Sequence, residues 1–168
     1  MKCLIFSILL FGSILSAQEE PIGFWKTIND KTGKAESIIA IYPYQNQYFG
    51  RIIATINPKG EIIDTMEHPK TRAPGVEGDG FYSGMDIIWG LQKNQGTKYV
   101  GGKILDPEKG RIYDAEMWLK NGNLNVRGQI WIFGQTQVWV PAQDNDFPPN
   151  FEKPDLSVFV PTIPKPKH

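Results

Sequence analysis

The feature that most constrains the fold is a series of short apolar or alternating runs separated by Gly, Asn, Asp and Pro. Runs of this length with period-two alternation are typical of β-strands. In residues 111–120, for example, Tyr113, Ala115 and Met117 share one face and Glu116 lies on the other. Helical periodicity is almost absent after residue 17. We therefore predict an all-β protein.

Eight strands are predicted, and several connections between them have recognisable turn chemistry. Asn121-Gly122 is a type I′ hairpin signal, because both central residues of that turn need positive φ. Residues 106–110 form a turn led by Pro and closed by Gly. Successive hairpins that close on themselves leave no open sheet edge, so we expect a single antiparallel β-barrel. The predicted strands are 23–27, 37–44, 47–56, 85–91, 98–105, 111–120, 124–132 and 136–140.

Two segments interrupt this pattern. Residues 57–84 are long and non-periodic, and loops of this length are usually functional or disordered. The tail, residues 142–168, is rich in Pro and is expected to be extended or partly disordered. Phe147, Phe151 and Phe159 are the residues through which it could dock.

The N-terminus has the features of a secretory signal peptide. Lys2 is followed by an apolar run at 3–15, and Ser16-Ala17 offers small residues for cleavage. A membrane anchor is the alternative, although a spanning helix needs about 20 apolar residues. We expect export through the Sec pathway to the periplasm or the medium. The predicted parts are a signal peptide at 1–17, a barrel domain at 18–141 and the tail at 142–168.

Charge and composition exclude several classes of function. The 18 Lys and Arg balance 18 Asp and Glu, whereas a nucleic-acid binder needs a basic face. The two histidines are His68 and His168, and the single cysteine is Cys3. Zinc sites, cysteine nucleophiles and disulfides are therefore not expected. Charged residues such as Lys103 and Arg127 interrupt the strand faces, which disfavours an outer-membrane barrel.

The acidic residues do not form a predicted catalytic pair. Asp114 and Glu116 are neighbours on one strand face and point in parallel, whereas glycosidase carboxyls face each other across a cleft. His68 lacks the further His or Cys residues of a metal site, and the glycines of 75–80 lack the strand-to-helix context of a phosphate cradle. We predict no catalytic residue, metal or cofactor. A deep cleft gathering four side chains would favour an enzyme: Asp64, Glu67, His68 and Asp79.

Several motifs, in order, resemble the family called domain of unknown function 2147, which comprises small exported bacterial proteins. The resemblance covers roughly residues 22–141 and implies a calycin-like (lipocalin-like) antiparallel barrel, without an established role. Many members have a Cys pair after the third strand, but residues 61–70 contain no Cys, so a redox role there is absent. The segments that carry the resemblance are 23–28, 48–52, 101–113, 124–128 and 133–139.

Gly23-Phe24-Trp25 is similar to the Gly-x-Trp motif of lipocalins, whose Trp plugs one end of the barrel under a basic side chain. The resemblance implies Arg127 as that side chain, with Lys26 as a weaker candidate. A guanidinium over an indole contributes about 0.5–2 kcal/mol. The candidates for lining the barrel, and so for contacting a ligand, are Trp25, Tyr42, Trp89, Tyr113, Arg127 and Trp139.

Two interpretations of the aromatic residues stay open. The barrel is a non-catalytic binding module for a small apolar or amphipathic ligand or an envelope partner, or it is a filled scaffold whose tail recruits a partner. A cavity above about 300 Å³ would favour the first interpretation. Rings that fill the interior would favour the second.

Overall fold

The protein is described by a computed structural model that covers residues 20–130 and 133–167. The predicted signal peptide, Trp131 and Ile132 lie outside the described residues. No helix in the described part has the length and hydropathy to cross a bilayer. The strands found there are β1 (Gly23–Ile28), β2 (Ala35–Tyr44), β3 (Gln47–Ile56), β4 (Ile62–Thr65), β5 (Asp86–Lys93), β6 (Lys98–Asp106), β7 (Arg111–Lys120), β8 (Asn123–Ile130) and β9 (Phe133–Pro141).

The sheet closes into an eight-stranded antiparallel barrel, as the sequence predicted. Each strand pairs with its neighbour in the order β2-β1-β9-β8-β7-β6-β5-β3, and β2 pairs again with β3 to complete the ring. In β1, Trp25 lies opposite Ile39 of β2 and Pro141 of β9. β4 is a ninth strand outside the ring, paired with β3. It was not predicted, because it lies within the segment 57–84 that was interpreted as a loop.

Two hairpins have two-residue turns with positive φ at both positions. Asn121 and Gly122 have φ of 53° and 76°, which confirms the predicted type I′ turn. Gln45 and Asn46, between β2 and β3, have φ of 47° and 62°. The second turn thus adopts the left-handed region without a glycine, a conformation that costs free energy for most L-residues.

The barrel interior is filled by buried side chains, which we call the interior cluster. β2 shows how the sequence builds it: Ile39 and Ile41 face inward, while Ile38, Ala40 and Tyr42 belong to clusters on the outer face. Because β2 is buried on both faces, its sequence is a continuous apolar run. The interior cluster comprises Trp25, Ile39, Ile41, Ile52, Ala73, Val76, Met85, Ile87, Ile88, Leu91, Tyr99, Leu105, Ala115, Met117, Leu124, Val126 and Trp139.

The tail, described from residue 142 to 167, lies against the outer face of β1–β3. Its backbone is irregular apart from two short 3-10 helices, Asp144–Asp146 and Leu156–Val158. Phe147 stacks on Phe151 and meets the edge of Phe24 in β1. Further along, Phe159 packs edge-on against Tyr42 of β2.

Residues 66–85, which we call the end loop, cover one end of the barrel. Ala73, Val76 and Met85 of this loop are buried members of the interior cluster. β5 begins at Asp86, directly after the loop, and ends at Lys93. Because strands cross the barrel from end to end, Lys93 marks the opposite end, which we call the mouth.

Candidate functional site

A pocket of about 600 Å³ lies at the mouth of the barrel. Its walls come from the β2–β3 hairpin, which brings the strained Gln45–Asn46 turn with it, and from the end of β5. Small-molecule sites typically have volumes of about 300–1,000 Å³, so the mouth pocket is of that size. Its lining residues are Pro43, Tyr44, Gln45, Asn46, Gln47, Tyr48, Gln92 and Lys93.

Tyr48 connects the mouth pocket to the barrel interior. Its ring meets the ring of the fully buried Tyr99 edge-on, with centroids 4.7 Å apart. Burial and, secondarily, the carboxylate of Glu20 raise the pKa of Tyr48. Burial likewise raises the pKa of Tyr99. Both hydroxyls therefore stay protonated at neutral pH, and the hydroxyl of Tyr48 can donate and accept hydrogen bonds.

The chemistry of the mouth pocket is mixed. Tyr48 supplies aromatic surface, whereas the Tyr44 ring packs edge-on against Phe49 in the outer cluster. The four side-chain amides supply both donors and acceptors. Lys93 adds an ammonium group. Such a lining suits a ligand with an apolar part and a polar or anionic part.

Three of the predicted lining residues lie on the interior side of the sheet. Trp25 and Trp139 are almost fully buried in the interior cluster. The Trp25 indole donates to the carbonyl oxygen of Pro21 at 2.7 Å. Tyr113 faces Gly128 inside the barrel. Trp89 is partly buried and packs against both the interior cluster and the outer cluster beneath the tail.

The structure corrects the other two lining predictions. Tyr42 lies on the outer face of β2, because its neighbour Ile41 takes the inward position. Arg127 also lies outside, because Val126 and Gly128 on either side of it face inward. Its guanidinium lies over Gly134 of β9 instead of stacking on Trp25.

Beneath the tail, three polar side chains form a buried group that we call the anchor site. Asp86 is fully buried. The Nε of Arg51 donates to its Oδ1 at 3.0 Å, and the Nη2 of Arg51 donates to its Oδ2 at 2.7 Å. The Tyr42 hydroxyl donates to Oδ1 at 2.7 Å. Burial and the Asp86 carboxylate raise the pKa of Tyr42, so it remains a donor.

Asp64, Glu67 and His68 do not share one buried site, and the side chain of Asp79 lies outside the described part of the protein. Asp64 is buried, and its Oδ2 accepts the backbone amides of Lys70 and Thr71 at 3.0 and 2.8 Å. Glu67 and His68 are exposed. Within residues 20–130 and 133–167, no group of three or more His, Cys, Asp or Glu side chains could hold a metal ion.

On the outer face of the barrel, Asp114 and Glu116 take part in ion pairs. Asp114 pairs with Lys103 at 2.5 Å, and Glu116 pairs with Lys98 at 3.0 Å. They belong to an exposed strand surface, as the sequence predicted.

Sequence reasoning missed the mouth pocket and the anchor site. The pocket could have been suspected from Gln45–Asn46, which separates two strong strand patterns by two residues. The anchor site had no local signal, since Arg51 and Asp86 meet only through the pairing of β3 with β5.

Comparisons with known proteins agree with this architecture. The model of a family described as "Uncharacterized protein conserved in bacteria (DUF2147)" matches residues 23–140. The solved structure of protein HP1028 from the human pathogen Helicobacter pylori, described as belonging to the lipocalin family, superposes with a TM-score of 0.61. The match has 15% sequence identity and covers 78% of this chain and 87% of that one, so it shows a shared fold. No curated protein matches the chain.

Proposed function

Because the chain belongs to the DUF2147 family of bacterial proteins, for which no role is established, we propose a function from geometry: a non-catalytic binding module that takes a small amphipathic ligand at the mouth pocket. The observation that carries the proposal is the pocket of about 600 Å³ at one end of a lipocalin-like barrel. Export to the periplasm or the medium is part of the proposal. N-terminal sequencing of the mature protein tests it, with Gln18 expected as the first residue.

The filled interior favours the scaffold over a ligand at the centre of the barrel and leaves the mouth as the binding site that we propose. Tyr99, Leu91 and Met117 have no exposed surface, and such rings and chains are packed as in an organic crystal. A ligand at the centre would have to displace them. A ligand at the mouth would instead cover Tyr48 without disturbing the packing beneath.

The lining predicts which compounds bind. The Tyr48 ring favours an alkyl chain or the apolar face of a ring. Lys93 favours a carboxylate or another anion at the polar end. We therefore expect octanoate to bind more tightly than octyl glucoside, and glucose, which lacks the alkyl chain, to bind least.

Titration of the protein with these three compounds, followed by amide chemical shifts, tests the proposal. Octanoate should move the resonances of residues 43–48 and 92–93. Lys93→Ala should weaken octanoate binding about three- to tenfold, whereas Lys120→Ala, at another hairpin, should leave it unchanged. Shifts confined to other surfaces, or none with any compound, would reject this site.

The exposed apolar side chains of the tail favour a second candidate function, a scaffold whose tail recruits an envelope protein. Val158, Val160 and Ile163 are 69%, 61% and 50% exposed, and exposed apolar groups of this kind are common at interaction sites. Val160→Ser and Ile163→Ser should then abolish co-purification of that protein while the circular dichroism spectrum is unchanged. Retained co-purification would exclude this role for the tail.

A further inference from the structure

The anchor site binds the tail through main-chain atoms as well as through a ring. The Nη2 of Arg51 donates to the carbonyl oxygen of Val160 at 2.8 Å, and the amide of Thr162 donates to Oδ2 of Asp86 at 2.7 Å. The guanidinium also lies over the ring of Phe159, 4.5 Å from its centroid. Arg51 and Asp86 thus both bind residues 159–162. Hydrogen bonds to charged groups such as these are stronger than hydrogen bonds between neutral groups.

The next residues of the tail hold the end loop. The amide of Glu77 donates to the carbonyl oxygen of Lys165 at 2.8 Å, and the amide of Lys167 donates to the carbonyl oxygen of Gly75 at 2.8 Å. Val76 and Pro166 form the antiparallel bridge between these bonds. The tail therefore runs directly from the anchor site to the end loop.

The bridged part of the loop is fixed from its other side by the β6–β7 turn. The amide of Gly75 donates to the carbonyl oxygen of Pro107 at 2.9 Å. The side chain of Val76 is 3% exposed and enters the interior cluster. The tail thus lies outside a loop segment whose inner surface seals the barrel.

We propose that the tail is a clasp: capture of residues 159–162 by Arg51 and Asp86 keeps the end loop seated, and release of the tail opens the barrel interior at the end opposite the mouth. This goes beyond the proposed function, because it concerns the other end of the barrel and requires no ligand at the mouth pocket. A partner that pulls the tail away from the anchor site would therefore expose Val76 and Met85.

Hydrogen exchange of the full-length protein tests the clasp. Phe159→Ala removes the ring under Arg51, and its matched control, Val158→Ala, changes the adjacent side chain, which points to solvent. In Phe159→Ala, the amides of Gly75 and Glu77 should exchange about tenfold faster or more, while the amides of β6 keep their protection. Unchanged exchange at Gly75, whose amide bonds to Pro107 and not to the tail, would overturn the proposal whatever happens at Glu77.

Limited trypsin digestion gives a second measurement on the same proteins. Cleavage after Lys70 and Arg72, both in the end loop, should be faster in Phe159→Ala than in Val158→Ala. Faster exchange of the Glu77 amide, which bonds to Lys165, shows that the tail has been released. Equal cleavage rates of the two proteins under that condition would overturn the proposal.

A second variant keeps the test decisive if Phe159→Ala also destabilises the strands. Thr162→Pro removes the amide that donates to Asp86, because proline has no N–H, and leaves the ring of Phe159 in place. It should speed exchange at Gly75 and Glu77 in the same way. Full protection of both amides in Thr162→Pro would show that the end loop is held without the anchor site.

Discussion

Arg51 and Asp86 form a two-bond ion pair on the outside of the barrel, yet Asp86 has no exposed surface. The tail covers the Asp86 carboxylate, since the amide of Thr162 donates to it and the ring of Phe159 lies under the Arg51 guanidinium. The Tyr42 hydroxyl and the Thr162 amide occupy further acceptor positions on the carboxylate. A buried ion pair is tolerated only when hydrogen bonds satisfy it in this way.

Breaking this pair should be costly. Arg51→Met leaves the Asp86 charge buried and without its main partner, and we expect a loss of about 3–5 kcal/mol in the free energy of unfolding. Arg51→Met combined with Asp86→Asn should recover part of the loss, because the uncompensated charge is gone. Urea unfolding measures both variants. A double variant less stable than Arg51→Met alone would contradict this account.

Gly75 should tolerate no side chain. A Cβ at this position would lie 2.2 Å from the backbone nitrogen of Gly110 and 2.8 Å from the carbonyl oxygen of Pro107. Gly75→Ala should cost about 1–3 kcal/mol, since backbone must move to relieve the overlap. Gly80→Ala in the same loop is the control, because its Cβ would make an ordinary contact of 3.4 Å with Met85. Thermal unfolding of the two proteins should rank them accordingly.

Acid should weaken the fold through Asp64. Burial alone would raise its pKa, but the Ser83 hydroxyl beside it and the amides of Thr71 and Lys70 hold the pKa below its ordinary 3.8. A carboxyl with a lowered pKa in the folded state stabilises the protein above pH 3.8. That stabilisation is lost as the pH falls through the folded-state pKa.

The variant Asp64→Asn checks this assignment. It should be about 2 kcal/mol less stable than the natural protein at pH 7, and the difference should shrink below pH 3.8. Asp30→Asn, at an exposed turn, should follow the natural protein throughout. A stability difference for Asp64→Asn that does not change with pH would mean that another carboxyl carries the effect.

The turn at the mouth offers a stabilising substitution. Gln45 and Asn46 both have positive φ, and Asn-Gly is the pair best suited to such a turn. Gln45→Asn with Asn46→Gly should raise the free energy of unfolding by about 1 kcal/mol. The same exchange removes the lining amide of Asn46 and shortens the side chain that carries the amide at position 45, so octanoate binding at the mouth pocket should weaken as stability rises. A variant that is more stable and also binds octanoate more tightly would argue against a role of these amides in binding.

The barrel could be predicted from the sequence because its signals are local. Alternation and turn residues located eight strands, including the Asn121–Gly122 hairpin. β4 was missed because Ile62–Thr65 is only four residues long and lies between irregular segments. Its signal was the β-branched run after the Pro58-Lys59-Gly60 turn.

The sites were harder to predict, because they depend on which strands meet. Strand alternation gives two faces but not which face lies inside, and Tyr42 was therefore assigned to the wrong one. β2 is apolar on both faces, and the packing of the tail on the outer face, through Phe147 and Phe159, explains why. For Arg127, the resemblance to lipocalins suggested a stacking role that the inward positions of Val126 and Gly128 exclude.

The pairing of β1 with β9 has a consequence for the order in which the barrel folds. Trp25 of β1 lies opposite Pro141 of β9. Because β9 is the last strand to be synthesised, β1 has only β2 as a partner until then. Until β9 is in place, one edge of β1 has unpaired amide and carbonyl groups that another chain can pair with. The barrel therefore closes only after the last strand has been made, and a chain that ends before β9 keeps an unpaired sheet edge that can bind other chains.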